Sequence, residues 1–320
     1  MKKELLYYTA FLLLVASCSE DAALPSAEED SDVLQLLSAR VEDASGDGTQ
    51  GGRAQVTTDN LDNLRLYATT TDGAAYVGNG GNAYGDYKLE SGTWKNTGSA
   101  QIKINSDATV YAIHPSGSTI TQSAGSTPQA SITIQTADGF TPYKQTDYLY
   151  SPTPQTVRSA DHTVAFANLK HALAKVSFKV TKMGAEDMTL TTLELRSRSA
   201  ALLAGNGTMN ILNGVLGGGL GGVQDITLTG SAVLESSLTS PNVTCLLAPV
   251  SNVTDLYFRL VIQAGSETRT LETDVLATSQ TWAAATHYVY TISVGKGQIE
   301  FSGMRIYDWM DDATTSIGIQ

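Results

Sequence analysis

Residues 163–181 read TVAFANLKHALAKVSFKVT, and the second half of this stretch decides the fold class. Val176, Phe178 and Val180 alternate there with polar residues. An alternation with a period of two puts all apolar side chains on one face of an extended chain, whereas a helix needs them three or four positions apart. The stretch therefore predicts a β-strand with one buried and one exposed face.

Similar short runs occur on both sides of this strand, separated by residues that favour turns. The predicted strands are 64–69, 101–105, 108–113, 131–135, 188–196, 225–228, 243–247, 256–263, 267–273, 287–294 and 298–309. No stretch longer than about ten residues has helical spacing. The one candidate helix, near Ala200, is interrupted by the glycine-rich residues 217–222. We therefore predict an all-β chain with two antiparallel β-sandwiches in series.

The length of 320 residues suits about two domains of ordinary size. The predicted parts are a signal peptide (1–17), a tether with a first strand and a linker (18–53), an N-terminal sandwich (54–160) and a C-terminal sandwich (161–320). A net charge of −12 disfavours binding to DNA or RNA, because one polyanion repels another. Two cysteines are too few for a disulfide scaffold.

The N-terminus has the pattern of a secretory signal. Two lysines precede an apolar run, residues 5–16, that is well short of the ~20 residues a transmembrane helix needs. The run ends in Val15-Ala-Ser-Cys18, which resembles the lipobox of bacterial lipoproteins, so Cys18 is the predicted site of lipid attachment. An ordinary signal peptide with a chance cysteine is the alternative. With lipid on Cys18, Cys245 has no disulfide partner and is predicted to be a buried apolar residue.

A short apolar island, residues 33–41, follows an acidic tether and precedes a flexible glycine-rich linker, residues 44–52. The island is too short for periodicity to separate a turn or two of helix from a strand. If it is a strand, Leu34, Leu36 and Ser38 share one face.

The sequence holds no recognisable catalytic or metal-binding constellation. The four histidines are scattered, and none belongs to a HExxH pair. The glycine-rich residues 217–222 are not followed by the Lys-Ser/Thr that phosphate binding needs, and no GxSxG is present. We therefore predict no catalytic residue, no cofactor, no metal and no enzyme activity.

One aromatic group is a candidate carbohydrate site. Tyr76, Tyr84, Tyr87 and Trp94 lie close together in the sequence, and aromatic rings stack well on sugars. Packing within an exposed hairpin explains the same residues equally well.

Several different short segments follow one another in a characteristic order along nearly the whole chain. They are Arg53-Ala54 with the threonine pair that follows, Tyr111-Ala-Ile-His-Pro115, Asp147-Tyr-Leu-Tyr150, Phe166-x-x-Leu-Lys-His-Ala-Leu-Ala-Lys-Val176, Leu246-Leu-Ala-Pro249, Trp282 with residues 288–294, and Ile306-x-x-Trp309. In this order behind a lipobox, they resemble the fimbrillin (Mfa-like) family, the type V pilins of Bacteroidales. One departure is Ala285, because the family usually has glycine in that turn.

The resemblance implies two tandem transthyretin-like β-sandwich domains and a specific assembly mechanism. In that mechanism the precursor travels to the outer membrane as a lipoprotein, and the acidic run Ser19-Glu20-Asp21 resembles the export signal. An Arg-specific protease at the cell surface then removes the N-terminal segment with its first strand. A strand from the C-terminal end of another subunit fills the groove that remains.

Carried onto this chain, the resemblance assigns Cys18 to the lipid and residues 33–41 to the removable strand. The bond between Arg53 and Ala54, behind the flexible linker, is the predicted cleavage site. Arg40, inside the apolar island, is the other candidate for the cut. A chain that is never cut is the third possibility.

Candidates for the donor strand lie in the last twenty residues. Ile317 and Ile319, in the free tail 314–320, are spaced for two pockets on one face. Alternatively, residues 298–309 close their own sandwich and the tail is frayed.

The predicted function is therefore that of a structural subunit of a cell-surface fimbria that supports adhesion. Its expected partners are other fimbrial subunits, the outer membrane through the lipid, and an Arg-specific protease. Two alternatives stay open. One is a monomeric surface lipoprotein that binds glycans or a host protein, and the other is the uncleaved anchor subunit of a fimbria.

Overall fold

The structure, a computed structural model, describes residues 32–42, 56–78 and 80–309. These ranges contain twenty-four β-strands and no helix. The all-β prediction is therefore confirmed. Within the same ranges, no helix long and apolar enough to cross a membrane is found.

The strands up to residue 171 are β1 Gln35–Val41, β2 Asn63–Thr70, β3 Tyr84–Glu90, β4 Thr93–Asn96, β5 Ala108–His114, β6 Ile120–Thr121, β7 Gln129–Ile134, β8 Ala137–Gly139, β9 Leu149–Tyr150, β10 Gln155–Val157 and β11 Thr163–His171. The later strands are β12 Ala174–Lys182, β13 Met188–Ser197, β14 Leu202–Asn210, β15 Leu216–Gly217, β16 Gly221–Val223, β17 Asp225–Val233, β18 Val243–Leu247, β19 Val250–Val253, β20 Leu256–Ala264, β21 Glu267–Glu272, β22 Gln280–Trp282, β23 Thr286–Val294 and β24 Ile299–Asp308.

The strands form four sheets of four or more strands and one small pair. The first has the order β1-β11-β9-β5-β2-β3-β4, with β10 also paired to β5. The others are β18-β12-β23-β24, β21-β20-β13-β17-β8, and β15-β14-β7-β6 with β16 on β14, and the small pair is β19-β22. Most pairs are antiparallel, as expected, but β1 with β11, β12 with β23 and β8 with β17 are parallel. These partners are far apart in the chain, which leaves room for the long connections that parallel pairing requires.

Two of the hydrophobic clusters separate largely by sequence. The first draws on residues 34–169 and the second on residues 140–294. The centre of the second cluster is aromatic: the ring of Tyr290 lies 5.5 Å from that of Phe178 and 5.1 Å from that of Phe258. A third cluster takes residues from both halves.

Sheet membership crosses the predicted boundary at residue 160 in both directions. Strands β7 and β8 precede it but pair with β14 and β17. Strand β11 follows it but pairs with β1 and β9. The division into domains 54–160 and 161–320 therefore stays a prediction.

The predicted strand 101–105 is wrong. Ile102 and Ile104 are buried, but the only β-bridge in this segment joins Lys103 to Val33. The apolar/polar alternation of this segment therefore correctly indicates that one face is buried. A β-strand also needs a neighbouring strand that pairs with it along its length, which this segment lacks in the part of the chain that the structure describes.

The structure also has a strand where the sequence offered only an interrupted helix. Strand β14 begins just after Ala200 and contains Gly205 and Gly207, which weaken its intrinsic strand preference. Pairing supplies what propensity lacks, since β14 has β7 on one side and β15 and β16 on the other. Of the glycine-rich residues 217–222, residues 218–220 connect β15 to β16, and the others belong to these two strands.

Ala285 adopts a φ of +54°, in the left-handed region that favours glycine. Its N–H donates to the Leu173 carbonyl at 2.9 Å, which holds the turn in place. That conformation costs an L-residue about 1–2 kcal/mol. We expect Ala285→Gly to raise the free energy of unfolding by up to about 1 kcal/mol in urea titrations. Ala284→Gly, beside it but without a positive φ, is the control and should lower it by about 0.4–1 kcal/mol. Equal destabilisation by both would contradict the argument.

Candidate functional site: the first strand and its cleft

The apolar island 33–41 is extended, and most of it forms strand β1, which rules out the helical alternative. Leu34, Leu36 and Val41 point into the first core and are only 1%, 3% and 4% exposed. Burying each such side chain stabilises by about 1.5–3 kcal/mol, so the three together contribute roughly 5–9 kcal/mol. The island is therefore an integral part of the folded core.

The predicted position of Ser38 on the buried face is wrong, because Ser38 is exposed. The pairing with β11 shifts register between Leu36 and Ser38 and again between Ala39 and Val41. Each bulge inserts an extra residue and reverses the alternation beyond it. Leu37, the residue that the pairing skips at the first shift, is 62% exposed.

Main-chain hydrogen bonds hold the first strand from two sides. Towards β11, the Gln35 N–H donates to the His162 carbonyl at 2.7 Å and the Glu42 N–H to the Leu169 carbonyl at 2.8 Å. The other side is formed by residues 102–104. We call the slot between β11 and residues 102–104 the first-strand cleft.

The contacts with residues 102–104 lie at the beginning of the island. The Leu34 N–H donates to the Ile102 carbonyl at 2.9 Å, and the Ile104 N–H donates to the Asp32 carbonyl at 2.8 Å. The hydroxyl of Tyr87 donates to the Leu34 carbonyl. Without residues 32–42, the cleft would expose unpaired main-chain groups beside apolar pockets.

The described residues on either side of the linker contact each other. The Val41 N–H donates to the hydroxyl of Thr58 at 3.1 Å. Glu42 and Lys170 form an ion pair at 3.0 Å, but both side chains are more than 40% exposed, so it stabilises little. Val41 and Thr58, which flank residues 43–55 in the sequence, are therefore in direct contact.

The residues predicted to carry function all fall outside the described residues. They are Cys18, Arg53, Ala54, Ile317 and Ile319. Their roles stay predictions. The structure does describe Arg40, the other candidate for the cut, which lies in β1 between two positions that pair with Phe166 and Leu169. A protease needs an unpaired extended backbone, so Arg40 is protected in the folded chain.

Three of the sequence motifs meet in a buried cluster. The Asp147 carboxylate accepts hydrogen bonds from the Val56 N–H at 2.8 Å and from Nδ1 of His171 at 3.0 Å. The His171 ring stacks on Trp309 at 4.1 Å, and Lys175 donates to the Trp309 carbonyl at 3.3 Å. This cluster fastens the chain just after the linker and just before the tail.

The C-terminal strand β24 completes its own sheet, as the alternative reading of residues 298–309 expected. It pairs antiparallel with β23 and lies at the edge of the sheet. Phe301 and Met304 pack against the second core, whereas Ile306 is 53% exposed.

The candidate carbohydrate site is wrong. Tyr76 and Tyr87 are each 2% exposed and belong to the first core. Tyr84 lies under the guanidinium of Arg65, 4.4 Å from it. The aromatic pattern therefore reflects core packing and one cation–π contact.

Cys245 is a buried apolar residue in β18, as predicted. Burial raises the pKa of its thiol, which makes it unreactive. Burial lowers the pKa of His114, which contacts the Asn63 carbonyl at 2.9 Å. Among the described residues, no group of His, Cys, Asp and Glu is arranged to hold a metal ion.

The Fimbrillin-like family model matches residues 49–309. Two solved structures of proteins assigned to cell adhesion are similar at 18% identity: one from Bacteroides uniformis (TM-score 0.56, 87% of this chain and 99% of the other) and one from Bacteroides ovatus (TM-score 0.57, 87% and 97%). A fimbrial protein from Bacteroides vulgatus is similar at 14% identity (TM-score 0.51, 87% and 99%). No curated protein matches the chain. Because the family match spans most of the sequence, the resemblance predicted from the motifs is confirmed, and the chain belongs to the fimbrillin-like family.

Proposed function

We propose that this chain is a structural subunit of a cell-surface fimbria, which reaches the surface as a lipoprotein on Cys18, is cut after Arg53 and assembles by strand exchange. The observation that carries the proposal is the first-strand cleft. Its occupant, residues 32–42, is hydrogen-bonded from two sides, and residues 43–55, which include the linker, join it to the rest of the described chain.

The cleft suits exchange because a strand site can be refilled by any chain of matching shape. Removal of residues 32–42 exposes a row of unpaired N–H and C=O groups together with the pockets of Leu34, Leu36 and Val41. Such an edge is a template for strand addition, in which the main chain supplies affinity and alternate side chains supply specificity.

The linker supports the role of cleavage as a switch. While the linker is intact, it keeps the first strand at an effective concentration on the order of millimolar at the cleft, so a strand from another subunit rarely displaces it. A cut after Arg53 turns the same strand into a separate peptide, which can dissociate and be diluted away. Because Val41 and Thr58, on either side of the linker, are hydrogen-bonded to each other, we expect the cut to leave the rest of the fold in place.

For the donor we propose the tail 314–320 of another subunit. Ile317 and Ile319 are two residues apart, as are Leu34 and Leu36 in the cleft. The tail follows Trp309, which the stacked ring of His171 holds in the body of the subunit. The chain is therefore held in the body of the subunit at Trp309, before the tail begins.

We further propose that the two larger cores correspond to two transthyretin-like sandwiches. The separation of the first and second clusters by sequence supports this division. The third cluster, shared by both halves, would then join the two sandwiches.

The test is Arg53→Ala in the cells that produce the protein, with Arg40→Ala as the matched control. We expect Arg53→Ala to keep the lipid, retain an N-terminus at Cys18 and form no detergent-resistant ladder. Arg40→Ala should be cut and should assemble as the wild type does, because Arg40 lies in a paired strand. Mass spectrometry of the N-terminus and unheated gel electrophoresis provide the readouts.

Two outcomes would overturn the proposal. Normal ladders from Arg53→Ala would show that a cut after Arg53 is not the switch. A wild-type chain that stays lipidated at Cys18 and never assembles would instead fit a monomeric surface lipoprotein or an uncut anchor subunit.

A further inference from the structure

Tyr87 occupies an unusual position at the first-strand cleft. It belongs to β3, which is not a pairing partner of β1, yet its ring lies in the first core and is 2% exposed. Its hydroxyl donates to the main-chain carbonyl of Leu34. Burial raises the pKa of this phenol, so it stays a protonated donor at physiological pH.

The side chain, the N–H and the C=O of Leu34 all make contacts in the cleft. Its side chain is 1% exposed, its N–H donates to the Ile102 carbonyl, and its C=O accepts from Tyr87. The ladder with residues 102–104 consists of a single bridge, between Val33 and Lys103. At Leu34, the next residue, the main-chain carbonyl accepts its hydrogen bond from the Tyr87 hydroxyl and not from a main-chain N–H of a neighbouring strand among the described residues.

We infer that Tyr87 is the main-chain anchor of the first-strand cleft. Its hydroxyl recognises the backbone carbonyl of whichever strand fills the cleft, and the adjoining Leu34 pocket selects the side chain of that residue. The fitting partner is thus an extended segment with two apolar residues two positions apart, the first of which presents its carbonyl to Tyr87. That a second strand ever enters the cleft rests on the proposed function, but the anchoring of the first strand does not.

The anchor also disfavours a strand that fills the cleft without offering a carbonyl at this position. Such a strand would bury the Tyr87 hydroxyl without its main-chain acceptor, which should weaken binding by about five- to hundredfold. Because every strand offers carbonyls, this contribution is independent of the incoming sequence. In the tail, Ile317 is the residue that corresponds to Leu34 if Ile319 takes the place of Leu36.

The first experiment uses the full, uncut chain. We expect Tyr87→Phe to speed hydrogen exchange of the amides in residues 35–42 by about five- to tenfold, since one buried hydrogen bond to the strand is lost. The matched control is Tyr290→Phe, which removes a buried hydroxyl bonded to Trp282 and Gln280 in the second core. It should leave exchange in residues 35–42 unchanged relative to neighbouring strands. Equal exchange in Tyr87→Phe and wild type overturns the inference.

The second experiment separates anchoring from a general structural role. A synthetic peptide of residues 32–42 is bound to the chain after the linker has been cut. It is compared with the same peptide carrying an ester in place of the amide after Leu34. The ester weakens that carbonyl as an acceptor, and it removes the Gln35 N–H that donates to the His162 carbonyl in both proteins alike. The ester should weaken binding to wild type about tenfold more than binding to Tyr87→Phe. Equal weakening in both proteins would mean that Tyr87 acts only through packing.

The two proposals fail in different ways. If the cut wild-type chain neither releases the first strand nor binds the peptide, strand exchange is excluded. The exchange rates of the uncut chain then still decide whether Tyr87 anchors the first strand.

Discussion

A chain with cysteines in place of Gln35 and Thr163 is expected to remain unassembled under oxidising conditions, even after its linker has been cut. These residues are direct partners in the parallel pairing of β1 with β11, and both are exposed. Neighbouring strands lie about 4.8 Å apart, which suits the Cα separation of a disulfide. The bond would hold the first strand in the cleft covalently. We expect complete loss of ladders on unheated gels, and their return after reduction.

A single-cysteine variant and a direct check of the disulfide serve as controls for this experiment. Gln35→Cys alone has no exposed cysteine to pair with among the described residues, because Cys245 is fully buried, and it should assemble normally. Non-reducing mass spectrometry of the cut double variant should show the first strand still attached. Wild-type assembly of the oxidised, cut double variant would mean that the first strand need not leave, and strand exchange at this cleft would be excluded.

The second large effect is expected from Asp147→Ala. The carboxylate of Asp147 is buried and accepts from the Val56 N–H and from His171. Its removal leaves two buried donors without an acceptor, and the loss of one partner of a buried pair typically costs 3–5 kcal/mol. We expect a fall of about 3–5 kcal/mol in the free energy of unfolding in urea. Faster proteolysis should follow near Val56 and Trp309.

Asp187→Ala is the matched control for this acid. Asp187 also forms an ion pair, with Lys182 at 3.2 Å, but its side chain is fully exposed. Its loss should leave the free energy of unfolding nearly unchanged. A double-mutant cycle with His171→Ala should be strongly non-additive, because both residues act in one contact. A loss below 1 kcal/mol for Asp147→Ala would show that the cluster does not fasten the two ends.

The sequence predicted the later strands well, and their chemistry explains why. Val176, Phe178 and Val180 lie in β12 and are fully buried, as their alternation required. A strand of this kind can be predicted from the alternation of apolar and polar residues within it, without knowledge of its partner strand. The prediction is less successful for residues 101–105, where the alternation is real but the partner is a single bridge.

The candidate site likewise has a part that the sequence could predict and a part that it could not. The lipobox cysteine Cys18, the arginine Arg53 behind a flexible linker and the apolar tail residues are local patterns, readable without a fold. The cleft itself is not readable, because β1 and β11 are more than a hundred residues apart and pair in parallel with two bulges. Nothing near Tyr87 in the sequence indicates that its hydroxyl meets Leu34.

By itself, the sequence determined that the chain is all-β, lacks a recognisable catalytic constellation and resembles fimbrillins. Period-two alternation, turn residues and ordered motifs are local and survive without knowledge of contacts. Only the tertiary structure decided that the island 33–41 is an extended segment of the first core, and that Asp147, His171 and Trp309 meet. The physical reason is that burial, bulges and long-range hydrogen bonds depend on the partner strand. A nine-residue segment with three buried side chains acquires its conformation from the cleft that receives it.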